Sequence, residues 1–132
     1  MSPQLDRVDH IHIYVQDRAA AEVWYGRVLG LKRVEELAFW APGPGPLTLS
    51  DADGHIHLAL FERPAAANRT TVALGVGAEA FLAWRAHLGR ELGEVPGVVD
   101  HDASWSMYFY DPWGNPYEIT CYDYDVLAAS LR

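Results

Sequence analysis

The sequence predicts an α+β fold built from two βαβββ modules, and three observations carry that prediction. Residues 8–15 and 55–61 alternate imidazole or aromatic side chains with aliphatic ones, the period of a strand with one packed and one open face. Each first strand is followed by apolar residues at helical spacing. An offset of 61 residues then takes His10 to Thr71, Ile11 to Val72, Ile13 to Leu74, His57 to Glu118 and Leu58 to Ile119. Every pair keeps its inside or outside character, as an internal duplication demands.

Along the first module, residues 8–15 form a strand with Ile11, Ile13 and Val15 on one face and His10, His12 and Tyr14 on the other. Asp17 caps a helix whose Ala21, Trp24, Tyr25, Val28 and Leu29 share a face, and Gly30 closes it. Residues 31–37 read as a strand, the Pro/Gly run 41–46 as a loop and residues 47–50 as a short strand. Asp51-Ala52-Asp53-Gly54 resembles a calcium loop but lacks the remaining ligands, so it is read as a turn. It leads into the second histidine strand, with Ile56, Leu58 and Leu60 opposed to His55 and His57.

Residues 64–69 read as a connector between modules spanning about 5–63 and 69–123 of a single domain, 1–132. The second module begins with a strand at 71–76, then a helix carrying Phe81, Leu82, Ala86 and Leu88 and ending near Gly89. Strands follow at 98–102, 104–110 and 117–122, the last two joined by the turn Asp111-Pro112-Trp113-Gly114-Asn115. The C-terminal residues read as a short helix docking Val126 and Leu127, with Asp123 and Asp125 solvated.

With a net charge of −8 and no cluster of Lys and Arg, a nucleic-acid or anionic-membrane partner is not expected, because phosphate binding needs concentrated positive charge. The field suits a neutral or cationic small ligand better. One cysteine, Cys121, excludes an intramolecular disulfide and fits a reducing compartment. No secretory signal or membrane-length apolar run is visible, so a cytoplasmic protein is expected.

Two motifs carry a family resemblance. The stretch from Asp9-His10-Ile11-His12 to Asp17, followed by Trp24-Tyr25-Gly26-Arg27-Val28-Leu29-Gly30-Leu31, resembles the opening of the vicinal oxygen chelate superfamily. That superfamily includes glyoxalases, extradiol dioxygenases, fosfomycin-resistance transferases and bleomycin-resistance proteins. Tyr108-Phe109-Tyr110-Asp111-Pro112-Trp113-Gly114-Asn115-Pro116-Tyr117-Glu118 resembles its closing motif.

The resemblance implies a cupped mixed sheet with helices on its convex side, and a homodimer in which modules pair to complete each cup. It also implies metal ligands at four strand positions, here His10, His57, Thr71 and Glu118. Three of these can ligate a divalent ion such as Fe, Mn, Ni or Zn, and Thr71 lines the substrate site instead. Ser106 and Tyr108 resemble pocket hydroxyl residues of the transferases. Asp100-His101-Asp102-Ala103-Ser104 resembles the dioxygenase stretch whose histidine moves a proton beside the metal.

The expected site is therefore His10, His57 and Glu118 as ligands, Glu118 and His101 as catalytic groups, and His12, Tyr14, Trp40, Thr71, Ser106 and Tyr108 around the substrate. The chemistry expected is a metal-dependent lyase, isomerase or ring-cleaving dioxygenase acting on a small molecule that chelates through adjacent oxygens. The competing expectation is a metal-free drug-sequestering protein of the bleomycin-resistance type. Five tryptophans and net acidity suit stacking on a planar cation.

Overall fold

The computed structural model describes residues 2–64 and 68–132. It divides into two compact units, Met1–Ala66 and Ala67–Arg132. Of the expected connector, Ala65, Ala66 and Ala67 lie outside the described residues.

Unit 1 runs β1 (Ile11–Val15), α1 (Arg18–Leu29), β2 (Lys32–Arg33), a 3₁₀ turn (Glu35–Trp40), β3 (Leu47–Ser50) and β4 (His57–Glu62). Its sheet order is β1-β4-β3-β2, with β1 parallel to β4 and the other pairs antiparallel. Ile13, Val15, Leu58 and Leu60 are buried, and α1 packs against β4. Each such side chain contributes about 1.5–3 kcal/mol on full burial. Asp17 caps α1 by accepting from Ala20 N at 3.0 Å, and Gly30 closes it at φ 71°. The five residues expected on the inner helix face are the ones buried.

Three expectations for this unit need correction. The strand expected at 31–37 ends after two residues. Val34 N still donates to Thr48 O, but Glu35 and Glu36 then open the 3₁₀ turn, which places Leu37 and Trp40 one three-residue turn apart. The first histidine strand begins at Ile11, so His10 precedes the ladder. The second begins at His57, because Asp51 Oδ1 accepts Ile56 N at 2.7 Å and holds His55 and Ile56 in the turn.

Unit 2 runs β5 (Val72–Gly75), α2 (Ala78–Leu92), β6 (Val98–Asp100), β7 (Trp105–Tyr110), β8 (Pro116–Cys121) and α3 (Tyr124–Leu131), with sheet order β5-β8-β7-β6. The helix α2 passes the expected end at Gly89 and stops at Gly93, whose φ is 81°. Gly89 serves close packing instead, since a Cβ there would stand 2.8 Å from Val95 Cγ2. Phe81 and Leu88, two helical turns apart, are buried, whereas Leu82 and Ala86 fall on the outer side.

The strand expected at 98–102 ends at Asp100; Asp102 then turns the chain at φ 66°, and His101 N donates to Ser104 O to close the connection. The closing turn is built as expected. Asp111, buried, accepts from Trp113 N at 2.9 Å, Asn115 N at 2.8 Å and Asn115 Nδ2 at 2.7 Å. In α3, Leu127 is buried but Val126 is 65% exposed, and Asp123 accepts from Ala78 N at 3.1 Å at the start of α2. Solvation alone therefore does not describe Asp123.

The two ladders also correct the constant offset. Ile13 faces Leu60 and Leu74 faces Ile119, so with β1 kept on β5 at 61 residues β4 falls on β8 at 59. Thr48 faces Ala59 and Tyr108 faces Glu118, so β3 maps onto β7 at 60. By register the counterpart of Glu118 is Ala59, and that of His57 is Pro116. A slip of two residues preserves the inside/outside pattern, so alternation could not reveal it.

Candidate functional site

In unit 1 the open face of the sheet carries His12, Tyr14, Thr48, His57, Ala59 and Phe61, as the ladder partners dictate. A hollow of about 180 Å³ at its edge is lined by residues that include Asp9, His10, Trp40, Thr48, His57 and Ala59. His10 and His57, expected as ligands from opposite ends of the module, thus share a cavity. Trp40 reaches it from the 3₁₀ turn.

That turn is fixed from two sides. Arg18 donates to Gly45 O at 2.7 Å and to Ala41 O, tying the Pro/Gly loop to α1. Gly45 lies so close to Trp40 that a Cβ would meet its carbonyl oxygen at 2.9 Å.

The donors of His10 are ordered by Asp9, a residue sequence reading did not single out. His10 Nδ1 donates to Asp9 Oδ2 at 2.8 Å, since a carboxylate can only accept. In a neutral ring this leaves the lone pair on Nε2, which lies 3.1 Å from His12 Nε2. The hydrogen bond from His10 is the main cause holding the Asp9 carboxyl below its ordinary range. A carboxylate behind an imidazole is the usual means of orienting a metal-ligating histidine, so the Asp9–His10 pair is chemically suited to a divalent ion. An Asp immediately before the histidine was the signal available in the sequence.

His12 and Tyr14 open onto a second hollow of about 450 Å³, shared with Phe61, Arg63 and Pro64. The His12 ring is 4.7 Å from Phe61, Tyr14 is 6.1 Å from it, and the Arg63 guanidinium lies 5.3 Å above the same ring. Phe61 and Arg63 were not foreseen, although Phe61 has the parity of His57. The turn before β4 holds another group: Asp51, Asp53 and His55 offer ligand atoms within 4.8 Å of one another. Desolvation pushes the Asp51 carboxyl up, but amide bonds from Ile56, Asp51 itself and His55 outweigh it and hold it below the ordinary range.

In unit 2 the expected residues form two clusters on one face. Ser106, buried, donates to Glu118 Oε2 at 2.6 Å and lies 3.0 Å from Thr120 Oγ1. Tyr108 sits opposite Glu118 in the ladder, and its hydroxyl is 2.9 Å from His101 Nε2. Glu118 therefore has a hydroxyl partner where the sequence showed no nearby cation. Thr71 is exposed and precedes β5 rather than lying within it.

Beyond these, Tyr124 OH donates to Asp100 Oδ1 at 2.6 Å and Arg132 bonds the same pair. The tyrosine hydrogen bond leads in lowering the Asp100 carboxyl, and Asp100 in turn raises the Tyr124 phenol. Cys121 is a buried free thiol. Among the described residues no helix is long and apolar enough to cross a membrane.

Solved structures share this architecture. A glyoxalase/dioxygenase from Nostoc punctiforme matches with a TM-score of 0.65 at 22% identity, over 92% of this chain and 97% of that one. A lactoylglutathione lyase from Agrobacterium tumefaciens gives 0.65 at 22%, over 90% and 96%. The fosfomycin resistance protein FosX from Listeria monocytogenes gives 0.64 at 12%, over 89% and 92%. At these identities the likeness concerns the fold. No curated protein matches the chain in sequence. The family model of the glyoxalase/bleomycin resistance protein/dioxygenase superfamily matches residues 7–119, and the chain belongs to that superfamily.

Proposed function

We propose that the chain is a divalent-metal-dependent enzyme acting on a small molecule that presents two adjacent oxygens. The observation that carries this reading is the shared hollow of His10 and His57, with Asp9 fixing the His10 ring. When bound, the ion supplies Lewis-acid stabilisation of negative charge developing on the substrate oxygens. His10, His57 and Glu118 are its ligands in this reading. Ser106 holds the Glu118 carboxylate in place, and the His101–Tyr108 hydrogen bond is the pair able to hold and move a proton. Trp40, His12 and Tyr14 border the substrate. The cytoplasmic homodimer expected from the sequence belongs to the same proposal, with sedimentation velocity as its check.

The test is elemental analysis of the full chain purified without tag or added metal. About one ion per chain, lost in His10→Ala and in Glu118→Ala, is the expected result. Asp9→Asn should weaken metal binding by about 10–100-fold, since it removes the group that orients the ligand.

One further reading has its own support. Leu37, Trp40 and Pro46 form an apolar wall of the hollow, and Thr71 is a poor ligand. A metal-free protein whose tryptophan fluorescence is quenched by planar cations would make it a sequestering protein and overturn the enzyme.

A further inference from the structure

We propose that His10 and His12 together form a two-nitrogen chelate for a divalent ion, so that His12 is a metal ligand as well as a residue bordering the substrate. This inference rests on the metal-dependent reading above and assigns it a ligand that neither the family pattern nor the sequence reading named.

Three observations converge on it. The two Nε2 atoms are 3.1 Å apart, with the rings stacked at 5.0 Å between centroids. Two nitrogens about 2.0–2.1 Å from one ion stand about 3.0 Å apart at a right angle and about 3.4 Å apart at the tetrahedral angle. The observed separation falls between those limits. Residues two apart near a strand project to the same side, and Asp9 on His10 Nδ1 leaves the Nε2 lone pair to meet its neighbour.

The third observation is the corrected register. His12 faces Ala59 in unit 1, and the equivalent rung of unit 2 has Ala73 facing Glu118. Each rung thus carries one donor opposite one alanine. In unit 1 the donor on the rung of Glu118 is His12, whereas His57 corresponds to Pro116. Phe61, 4.7 Å from the His12 ring, supports that ring from the same face.

Without an ion, the same separation is a hydrogen bond between a donating and an accepting imidazole, and the experiment must tell the two apart. The full-length ¹⁵N-labelled chain is titrated with Zn²⁺, following the imidazole nitrogens by NMR and measuring affinity by competition with a chromophoric chelator. Joint movement of the His10 and His12 Nε2 resonances, saturating with zinc, is expected. His12→Gln, which keeps a hydrogen-bonding side chain, should weaken zinc at least about tenfold, the lower bound for disturbing a ligand's surroundings. Circular dichroism checks that its fold is unchanged.

Retention of the paired shift in His57→Gln would support the chelate further. Saturable zinc binding that moves His10 but not His12, with His12→Gln at wild-type affinity, overturns the chelate and leaves the metal-dependent reading standing. Absence of saturable zinc binding by the wild-type chain overturns the chelate, and a chain purified with no bound divalent ion overturns the metal-dependent reading as well.

Discussion

Unit 1 and unit 2 have the same ladder order and each buries one face of its own sheet, yet the other faces carry different chemistry. The first displays imidazoles at 10, 12 and 57, and the second a carboxylate and hydroxyls at 118, 106, 108 and 120. The packed side is constrained, because Leu60 and Ile119 hold the same rung and both are buried. The other side differs residue by residue, even where it is buried, as at Thr48, Ala59 and Ser106. The two units thus share strand order and packing while their polar residues differ.

The equivalence of the scaffolds can be broken most severely in the core. Leu60→Ala and Ile119→Ala should each cost about 2–5 kcal/mol, read by urea denaturation. A cost below about 1 kcal/mol for either would show that the two rungs are not equivalent.

The turns before the last strands come next, because both rest on an aspartate but to different degrees. Asp111→Ala strands three donors around a buried site and should cost about 2–4 kcal/mol, against about 1–2 for Asp51→Ala. Equal costs would remove the distinction between the two turns. Ser106→Ala should cost about 1.5–3 kcal/mol through the lost bond to Glu118; the same offset of 60 places Pro46 at its counterpart in unit 1.

Helix entry differs as well. Asp17 caps α1 from within its own turn, whereas α2 is preceded by Gly77, which has no side chain to cap it, and takes a carboxylate from Asp123. Asp17→Ala should cost about 1 kcal/mol, and Asp123→Ala less, by thermal unfolding.

The smallest effect is a pH dependence read at Asp100 in unit 2. Asp100 has a depressed folded value, so its contribution is present above the unfolded carboxylate value and is lost as pH falls through the folded one. The fluorescence of Trp105, stacked 5.3 Å from Tyr124, should change only below the ordinary carboxylate range. Asp100→Asn should abolish that acid-induced change.

Much of the fold was legible because it is written in consecutive residues. The cap at Asp17, the stop at Gly30 and the turn at Asp111 need only neighbours a few positions away. The strand expected at 31–37 failed because a short Glu-Glu-Leu-Ala run satisfies a 3₁₀ turn as well as an edge strand. In the site, His10 and His57 were legible from parity and the family resemblance. Asp9, Phe61 and Arg63 were not, because their roles come from contacts made after the sheet forms.

By itself the sequence determined which strand residues face inward, where the first helix begins and ends and how many strands each module holds, since these depend on period and local capping. Only the tertiary structure decided the register, because turn lengths and packing set it across dozens of intervening residues. That register made Ala59 rather than His57 the counterpart of Glu118, and it set His12 opposite Ala59.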